Sequence, residues 1–268
     1  MNDIVIEERH GRVVLLTLNK PEVRNTLSTE EECVALAERF ENLSVDADVS
    51  VLVLTGAGSC FSAGGDLRNM KERRGLAAGG PEELRARYRR GIQRLARSLH
   101  NVEVPTIAAV NGPASGAGFD LALMCDIRIA ATAARFAESF VKVGLVPGDG
   151  GAWLLQRAVG FSRAAEMTFT GDLIDAEEAW RIGLVSRFVP DDELIPTALA
   201  LAARIAKNPP QALRESKRLM REARVQSFAE HLESAAHAQA RAHHTAEHEE
   251  AVSAFLEKRA PHFLLARK

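Results

Sequence analysis

The strongest constraint on this chain is the stretch at residues 105–127, which reads PTIAAVNGPASGAGFDLALMCDI. Its apolar start, Thr106–Val110, predicts a buried strand. The segment NGP at 111–113 interrupts that pattern, and the apolar run over 119–124 is typical of a helix. A helix that begins at the small residues 116–118 leaves backbone N–H groups unpaired, and these groups favour negative charge. The stretch therefore predicts half of an anion-stabilising site or, alternatively, a tight strand–helix junction that serves only packing.

Composition narrows the functional class. The chain has 268 residues, and its 34 basic and 36 acidic side chains give a net charge of −2. A net charge this close to zero gives no overall electrostatic attraction to nucleic acid or to an anionic membrane. Its first ten residues are acidic where a signal peptide is basic, and no apolar run approaches membrane-spanning length. Three cysteines without zinc spacing, Cys33, Cys60 and Cys125, indicate reduced thiols in a cytoplasmic setting, with packing roles.

The predicted elements change in character near residue 190. Strands and helices alternate up to that point, whereas residues 193–258 show helical periodicity throughout. We therefore expect a mixed α/β region at 1–190 and a helical region at 191–268. Within the first region, residues 83–99 predict one helix whose many arginines form a solvated face, although a minority could meet a phosphorylated ligand.

A dinucleotide-binding loop is excluded by spacing. The segment Gly56-Ala57-Gly58 follows a predicted strand and supplies the first two glycines of the dinucleotide-binding pattern. The third glycine of that pattern would fall at residue 61, which is Phe61. The loop GAGSCFSAGG at 56–65 therefore needs another explanation.

Several motifs, taken in order, resemble the crotonase (enoyl-CoA hydratase/isomerase) superfamily along nearly the whole chain. They are LNKP at 18–21 with Asn25, FSAGGDL at 61–67, NG at 111–112, GAG at 116–118, CD at 125–126, VPGDGG at 146–151, TG at 170–171, GLV at 183–185 and AFLEKR at 254–259. The resemblance implies a spiral of ββα units followed by a C-terminal helical trimerisation region. It also implies an acyl-CoA substrate, no separate cofactor, and a trimer or dimer of trimers.

The implied chemistry is stabilisation of a thioester enolate. Two backbone N–H groups that meet the thioester oxygen bind the enolate more tightly than the ground state, and one such donor contributes roughly 3–4 kcal/mol. By motif position, the donors are expected at Ala63 and Ala117. Small residues suit these positions because bulk would obstruct the thioester.

The chain departs from the family hydratases at the carboxylates. Of their two working glutamates, the first falls on Asp120 and the second on Phe140, which cannot exchange a proton. Glu138 would share a strand face with Phe140, but we do not expect it to replace the missing acid. Some family isomerases and a dehalogenase place an aspartate at the turn that holds Asp149. We therefore expect Asp149 first and Asp120 second to act in proton transfer, although either could instead cap a helix.

The resemblance also implies a set of acyl-CoA contacts. They are Val23, Arg24, Ala63, Gly64, Gly65, Asp66, Leu67 and Gly116, with Phe255 and Lys258 supplied by a neighbouring subunit. The last two could also belong to an ordinary surface helix. No metal is expected, because His244 and His248 share a helix face without a clear third ligand.

Two functions thus remain open from the sequence. The first is an enolate-forming acyl-CoA enzyme, an isomerase or a hydratase, and a single effective carboxylate favours isomerisation. The second is a weakly catalytic or non-catalytic family member that binds acyl-CoA or RNA as an oligomer. The near-neutral charge disfavours RNA, because phosphate contacts need a basic surface.

Overall fold

The computed structural model describes residues 4–263 as a mixed α/β fold built on a twisted main sheet. The strand order is β1-β2-β3-β4-β6-β9, in which β1 and β2 form an antiparallel hairpin and the other pairs are parallel. The strands of the described chain are β1 (Val5–His10), β2 (Val13–Leu18), β3 (Val51–Gly56), β4 (Thr106–Val110), β5 (Pro113–Ser115), β6 (Ile127–Ala131), β7 (Arg135–Ala137), β8 (Ile174–Asp175) and β9 (Arg187–Val189).

Helices cross between the strands and then continue alone to the end of the described chain. They are α1 (Glu30–Val45), α2 (Leu67–Lys71), α3 (Pro81–Arg90), α4 (Ile92–His100), α5 (Ala117–Met124), α6 (Gly151–Val159), α7 (Phe161–Thr170), α8 (Ala176–Arg181), α9 (Leu194–Ala206), α10 (Pro210–Glu222), α11 (Phe228–Ala242) and α12 (Ala246–Leu256). The single helix predicted at 83–99 is in fact α3 and α4. The backbone breaks at Gly91, whose ψ of −100° lies outside the helical region.

A second, smaller sheet positions the functional loops. Its order is β5-β7-β8, so the segment just before α5 lies beside the segment 135–137. An isolated parallel bridge joins Ser62 to Ala114 and ties the loop after β3 to the same layer. Two loops far apart in sequence are therefore held together at the start of α5.

Both faces of the main sheet are covered, which explains why β3 is buried at every position. On one face, Leu52 and Leu54 pack with Phe40 of α1 and with α4 and α5. On the other face, Leu194, Ala198 and Ala202 of α9 pack against the strands.

A partly buried ion pair helps to attach α10 to the core. The Lys217 ammonium of α10 lies 2.5 Å from the Asp126 carboxylate and donates to the Val104 carbonyl at 2.7 Å. Asp126 also accepts hydrogen bonds from the Thr106 backbone N–H and hydroxyl groups. The last strand ends at Val189, so the division near residue 190 follows the elements, but α9 covers the sheet. The assignment of 191–268 as a separate oligomerisation region stays a prediction.

None of the helices within residues 4–263 is long and apolar enough to cross a membrane.

Candidate active site

A cavity of about 800 Å³ opens where the two loops meet. Its wall is mainly apolar, with the start of α5 at the base and α2, α3 and the loop before α6 at the sides. The residues that matter for chemistry are Gly65, Ala117, Phe140 and Asp149, and the apolar wall includes Leu27, Met70, Leu76, Leu84, Tyr88, Ile92, Val143 and Leu145. Such a lining fits a largely apolar ligand held by a few polar groups.

Glycines allow the two loops to pack backbone against backbone. A Cβ atom on Gly64, whose φ is +76°, would lie 2.4 Å from the Ser115 carbonyl oxygen and 3.0 Å from the Ala117 nitrogen. One on Gly118 would lie 2.2 Å from the Ser62 carbonyl oxygen. Side chains at these glycines are therefore incompatible with the site.

The free amides at this junction differ from those expected. The Ala63 N–H donates to the Arg24 carbonyl at 2.9 Å, so the prediction that it is an oxyanion donor is wrong for this structure. Two residues later, Gly65 borders the cavity together with Ala117, the first residue of α5. Neither of these two N–H groups donates a hydrogen bond within the described chain. Gly65 and Ala117 therefore present the unpaired amides.

The Gly65 loop is held by one buried amide side chain. Asn25 Nδ2 donates to the carbonyls of Ala57, Cys60 and Phe61, at 2.8–3.2 Å. Its Oδ1 accepts from the Lys20 N–H at 2.8 Å. Asn25 thus has a structural role in the motif that carried the resemblance.

Three carboxyl groups from three elements meet behind the cavity. Asp120 lies in the first turn of α5, Glu138 follows β7, and Asp149 precedes α6. Asp120 and Glu138 are fully buried, whereas Asp149 is 6% exposed and borders the cavity. A Cβ on Gly151 would lie 2.2 Å from Glu138 Oε1 and 2.3 Å from Asp120 Oδ1, so these two carboxyl groups converge at that glycine.

The cluster has few hydrogen-bond donors of its own. Asp120 Oδ2 accepts from the Gly151 N–H at 2.9 Å. The other oxygen of Asp120 and both oxygens of Glu138 and Asp149 are buried and receive no N–H or hydroxyl hydrogen bond within residues 4–263. The remaining partners are the carboxyl groups themselves, which can hydrogen-bond only when one of them carries a proton.

Burial and mutual repulsion therefore shift all three acids in the same direction. Burial, followed by the charges of Asp149 and Glu138, raises the pKa of Asp120 well above its usual range. Burial raises the pKa of Glu138 to about 8, although its hydrogen bond with Asp120 opposes the shift. Burial also raises the pKa of Asp149. Such a cluster titrates as a unit and retains protons near neutral pH.

Glu138 is the member that sequence reasoning missed. Residues Ser139–Val143 form a 3₁₀ turn and not the strand that would place Glu138 and Phe140 on one face. As a result, Glu138 joins the two aspartates while Phe140 borders the cavity. The only sequence signal was an acid between two apolar segments.

The alternative capping roles have different outcomes for the two aspartates. Asp149 does not cap α6, which begins after Gly150 without a side-chain hydrogen bond. Asp120 does satisfy an amide at the start of α6, through Gly151, and not at the start of its own helix. Asp120 therefore links two helices as well as belonging to the cluster.

The predicted acyl-CoA contacts divide into two groups. Gly65, Asp66 and Leu67 border the cavity, and the Asp66 carboxylate also caps α2 by accepting from the N–H groups of Arg68 and Asn69. The other predicted contacts do not border it in this chain. Val23 and Arg24 are exposed before α1, and Phe255 and Lys258 are exposed at the end of α12. Ala63, Gly64 and Gly116 are buried or half-buried next to the residues that carry the unpaired amides.

The other candidates have structural surroundings. Cys60 donates its thiol hydrogen to the Pro113 carbonyl, and burial raises its pKa, which favours a packing role. The ring nitrogens of His243 and His248 lie 3.2 Å apart, and the described residues hold no group of three or more His, Cys, Asp or Glu side chains suited to a metal ion.

Comparison with known proteins identifies the family. Residues 8–265 match the family model described as enoyl-CoA hydratase/isomerase. The chain is 36% identical to 2,3-dehydroadipyl-CoA hydratase and 37% identical to 1,2-epoxyphenylacetyl-CoA isomerase, both of Escherichia coli K12, with 98% of this chain and 99% of each relative covered. The crystal structure of an enoyl-CoA hydratase from Bacillus anthracis superposes with a TM-score of 0.90 at 33% identity, covering 97% of this chain and 99% of that one. The chain therefore belongs to the enoyl-CoA hydratase/isomerase family, and the crotonase-like fold is confirmed.

Proposed function

We propose that this protein is an acyl-CoA enzyme that forms a thioester enolate and moves a proton with Asp149. Isomerisation of an enoyl-CoA double bond is the preferred reaction, and hydration is the second candidate. The observation that carries the proposal is the position of one slightly exposed carboxyl group, Asp149, on the same cavity as two unpaired amides. The substrate acyl-CoA supplies the coenzyme A, and no further cofactor is needed for this chemistry.

In the proposed reaction, the thioester oxygen accepts hydrogen bonds from the N–H groups of Gly65 and Ala117. Removal of a proton from the acyl chain moves negative charge onto that oxygen, and the two amides stabilise the charge without having to reorganise. The N-terminal end of α5 adds a favourable dipole. Asp149 takes the proton and returns it to another carbon of the same chain.

Phe140 favours isomerisation over hydration. Addition of water needs a second group, besides the proton donor, that holds and deprotonates the water, and an apolar ring borders the cavity where the family hydratases carry a glutamate. The relatives do not decide between the reactions, because one similar protein is named a hydratase and another an isomerase.

A coupled assay with short and medium 2-enoyl-CoA and 3-enoyl-CoA substrates separates the two reactions. We expect turnover of 3-enoyl-CoA to 2-enoyl-CoA and little 3-hydroxyacyl-CoA. Efficient hydration with no isomerisation would overturn the preferred reaction. Phe140→Glu is the matched variant, and we expect it to raise the ratio of hydration to isomerisation.

The amide assignment has a direct structural test. In a crystal structure with a bound CoA thioester, the carbonyl oxygen should lie about 2.7–3.1 Å from both the Gly65 and the Ala117 nitrogen atoms. A thioester bound elsewhere in the cavity would contradict the assignment.

Self-association as a trimer or dimer of trimers is part of the proposal. Large apolar side chains are exposed on the single chain, among them Phe161, Phe169, Trp180, Phe228 and Phe255. Such a surface supports burial against other copies. Light scattering gives the mass of the oligomer, and loss of CoA affinity in Lys258→Ala would support the predicted contribution of Phe255 and Lys258 across a subunit boundary.

The three buried, unpaired cysteines support a cytoplasmic location.

The second function from the sequence, a non-catalytic acyl-CoA-binding or RNA-binding oligomer, has less support. A protein that only binds has no use for three costly buried acids beside its ligand cavity. Filter binding to RNA at low and moderate salt tests the RNA alternative. Tight binding without turnover of either enoyl-CoA would favour it.

A further inference from the structure

The position of Glu138 has no explanation in the proposed reaction, because it is fully buried and does not border the cavity. Both of its carboxyl oxygens lack an N–H or hydroxyl donor in the described structure. An ionised carboxylate in such a place is costly, so the fold must place a proton there or a partner that carries one. The partner within reach is Asp120.

Asp120 is the central member of the three. It hydrogen-bonds with both Asp149 and Glu138, and its Oδ2 already accepts the Gly151 N–H. Its Oδ1, which faces Glu138 at Gly151, has no such donor. Oδ1 can therefore accept a proton from Glu138, and a proton held by Asp120 itself then lies on Oδ2, from which it can be donated to Asp149.

We propose that Glu138 is a positioning residue, which in its protonated form donates to Asp120, while Asp120 donates to Asp149, so that the one negative charge of the cluster lies on Asp149. The charge is thereby held on the only member that borders the cavity. Each proton in this chain has one donor and one acceptor, and Glu138 never touches the substrate. This inference rests on the proposed proton transfer by Asp149 and adds the arrangement of protons that keeps Asp149 ionised and able to act as the base.

The proposal makes Glu138 responsible for a loss of function at alkaline pH. Deprotonation of Glu138 adds a second charge beside the developing enolate and breaks the donor chain. The other titratable groups that face Asp149 are Cys33 of α1 and Tyr88 of α3. Burial raises the pKa of Cys33 to about 12 and that of Tyr88 above its usual value, so neither titrates near pH 8.

Glu138→Gln tests the proposal, because an amide keeps a donor and cannot ionise. The pH profile of kcat/KM should fall about tenfold per unit above about pH 8 in the wild type and stay within about twofold to pH 9.5 in Glu138→Gln. Glu138→Leu, which removes the donor, should lower kcat about tenfold across the range and also lack the alkaline fall. A wild type without an alkaline fall, or a Glu138→Gln variant with the same fall, would overturn the proposal.

Thermal unfolding of the ligand-free protein gives a second readout that does not depend on turnover. A carboxyl group with a raised pKa in the folded state stabilises the fold at low pH, and this contribution is lost as the pH rises from its unfolded value through its folded value. The melting temperature of Glu138→Gln relative to wild type should therefore increase from pH 5 to about pH 8 and then level off. The exposed control Glu166→Gln should show no such trend. If the difference in melting temperature is the same at every pH, Glu138 has a purely structural role and the proposal is wrong. If the difference depends on pH but the protein turns over neither enoyl-CoA, the donor chain is supported and the proposed function is wrong.

Discussion

Two regions of this molecule surround an aspartate in opposite ways. Beside α10, the partly exposed Asp126 is paired with the buried Lys217 and accepts two further hydrogen bonds from Thr106. Behind the cavity, Asp120 has only the Gly151 amide and two other acids. The pair at α10 holds a helix on the core. The acidic cluster opposes folding at high pH and is therefore retained for some purpose other than stability.

The difference shows how to separate structural from functional acids in a fold like this one. A buried carboxylate with a cation has its charge neutralised in place, and removal of either partner leaves the other uncompensated. A buried acid without a cation keeps a raised pKa, which suits it to exchange a proton near neutral pH. The predictions below test this contrast, beginning with the largest expected effect.

The largest effect is expected at Asp149. Asp149→Asn removes the cavity-facing base while keeping its size, and kcat/KM should fall about 10²–10⁴-fold. Its melting temperature should equal or exceed that of the wild type, because a buried charge is removed. Steady-state kinetics with 3-enoyl-CoA and thermal unfolding check the two parts, with the exposed Asp172→Asn as the control. Full turnover in Asp149→Asn would remove Asp149 from the mechanism.

The opposite result is expected at Lys217. Lys217→Met leaves Asp126 without its cation and should cost about 2–3 kcal/mol, below the roughly 3–5 kcal/mol of a fully enclosed pair because the Asp126 side chain is 32% exposed. Chemical denaturation measures the loss. The double variant Asp126→Asn with Lys217→Met should recover part of it. Activity per folded molecule should not change, and a specific loss of kcat would show that the contrast between the two regions is false.

The smallest effect is expected in the wild type at acid pH. Asp149 must be ionised to act as a base, and burial raises its pKa, so kcat/KM should decline with falling pH at a value above the usual aspartate range. The decline should be about tenfold per unit below that apparent pKa. A flat profile down to pH 4 would mean that Asp149 is not shifted.

Much of the fold could be predicted from local patterns. The buried β3 and β4 and the change near residue 190 follow from periodicity and turn residues. The break between α3 and α4 was missed, because an isolated glycine such as Gly91 is tolerated in many helices and only packing decides whether it bends.

The site was predicted less completely. The motifs indicated Ala117 and Asp149, and both border the cavity. The amide donor on the other loop depends on which N–H group of that loop is already hydrogen-bonded to another backbone segment. The Ala63 N–H donates to the Arg24 carbonyl, and the Gly65 N–H remains unpaired. Glu138 could not be assigned, since a short 3₁₀ turn and a strand place neighbouring side chains in different directions.

The sequence by itself determined where the chain must be small, apolar or able to turn, because those requirements act between residues that are close along the chain. Only the tertiary structure decided which amides are unpaired and which acids share a site. Such properties arise between segments that are distant in sequence, and hydrogen bonding and desolvation depend on every group that surrounds an atom in space.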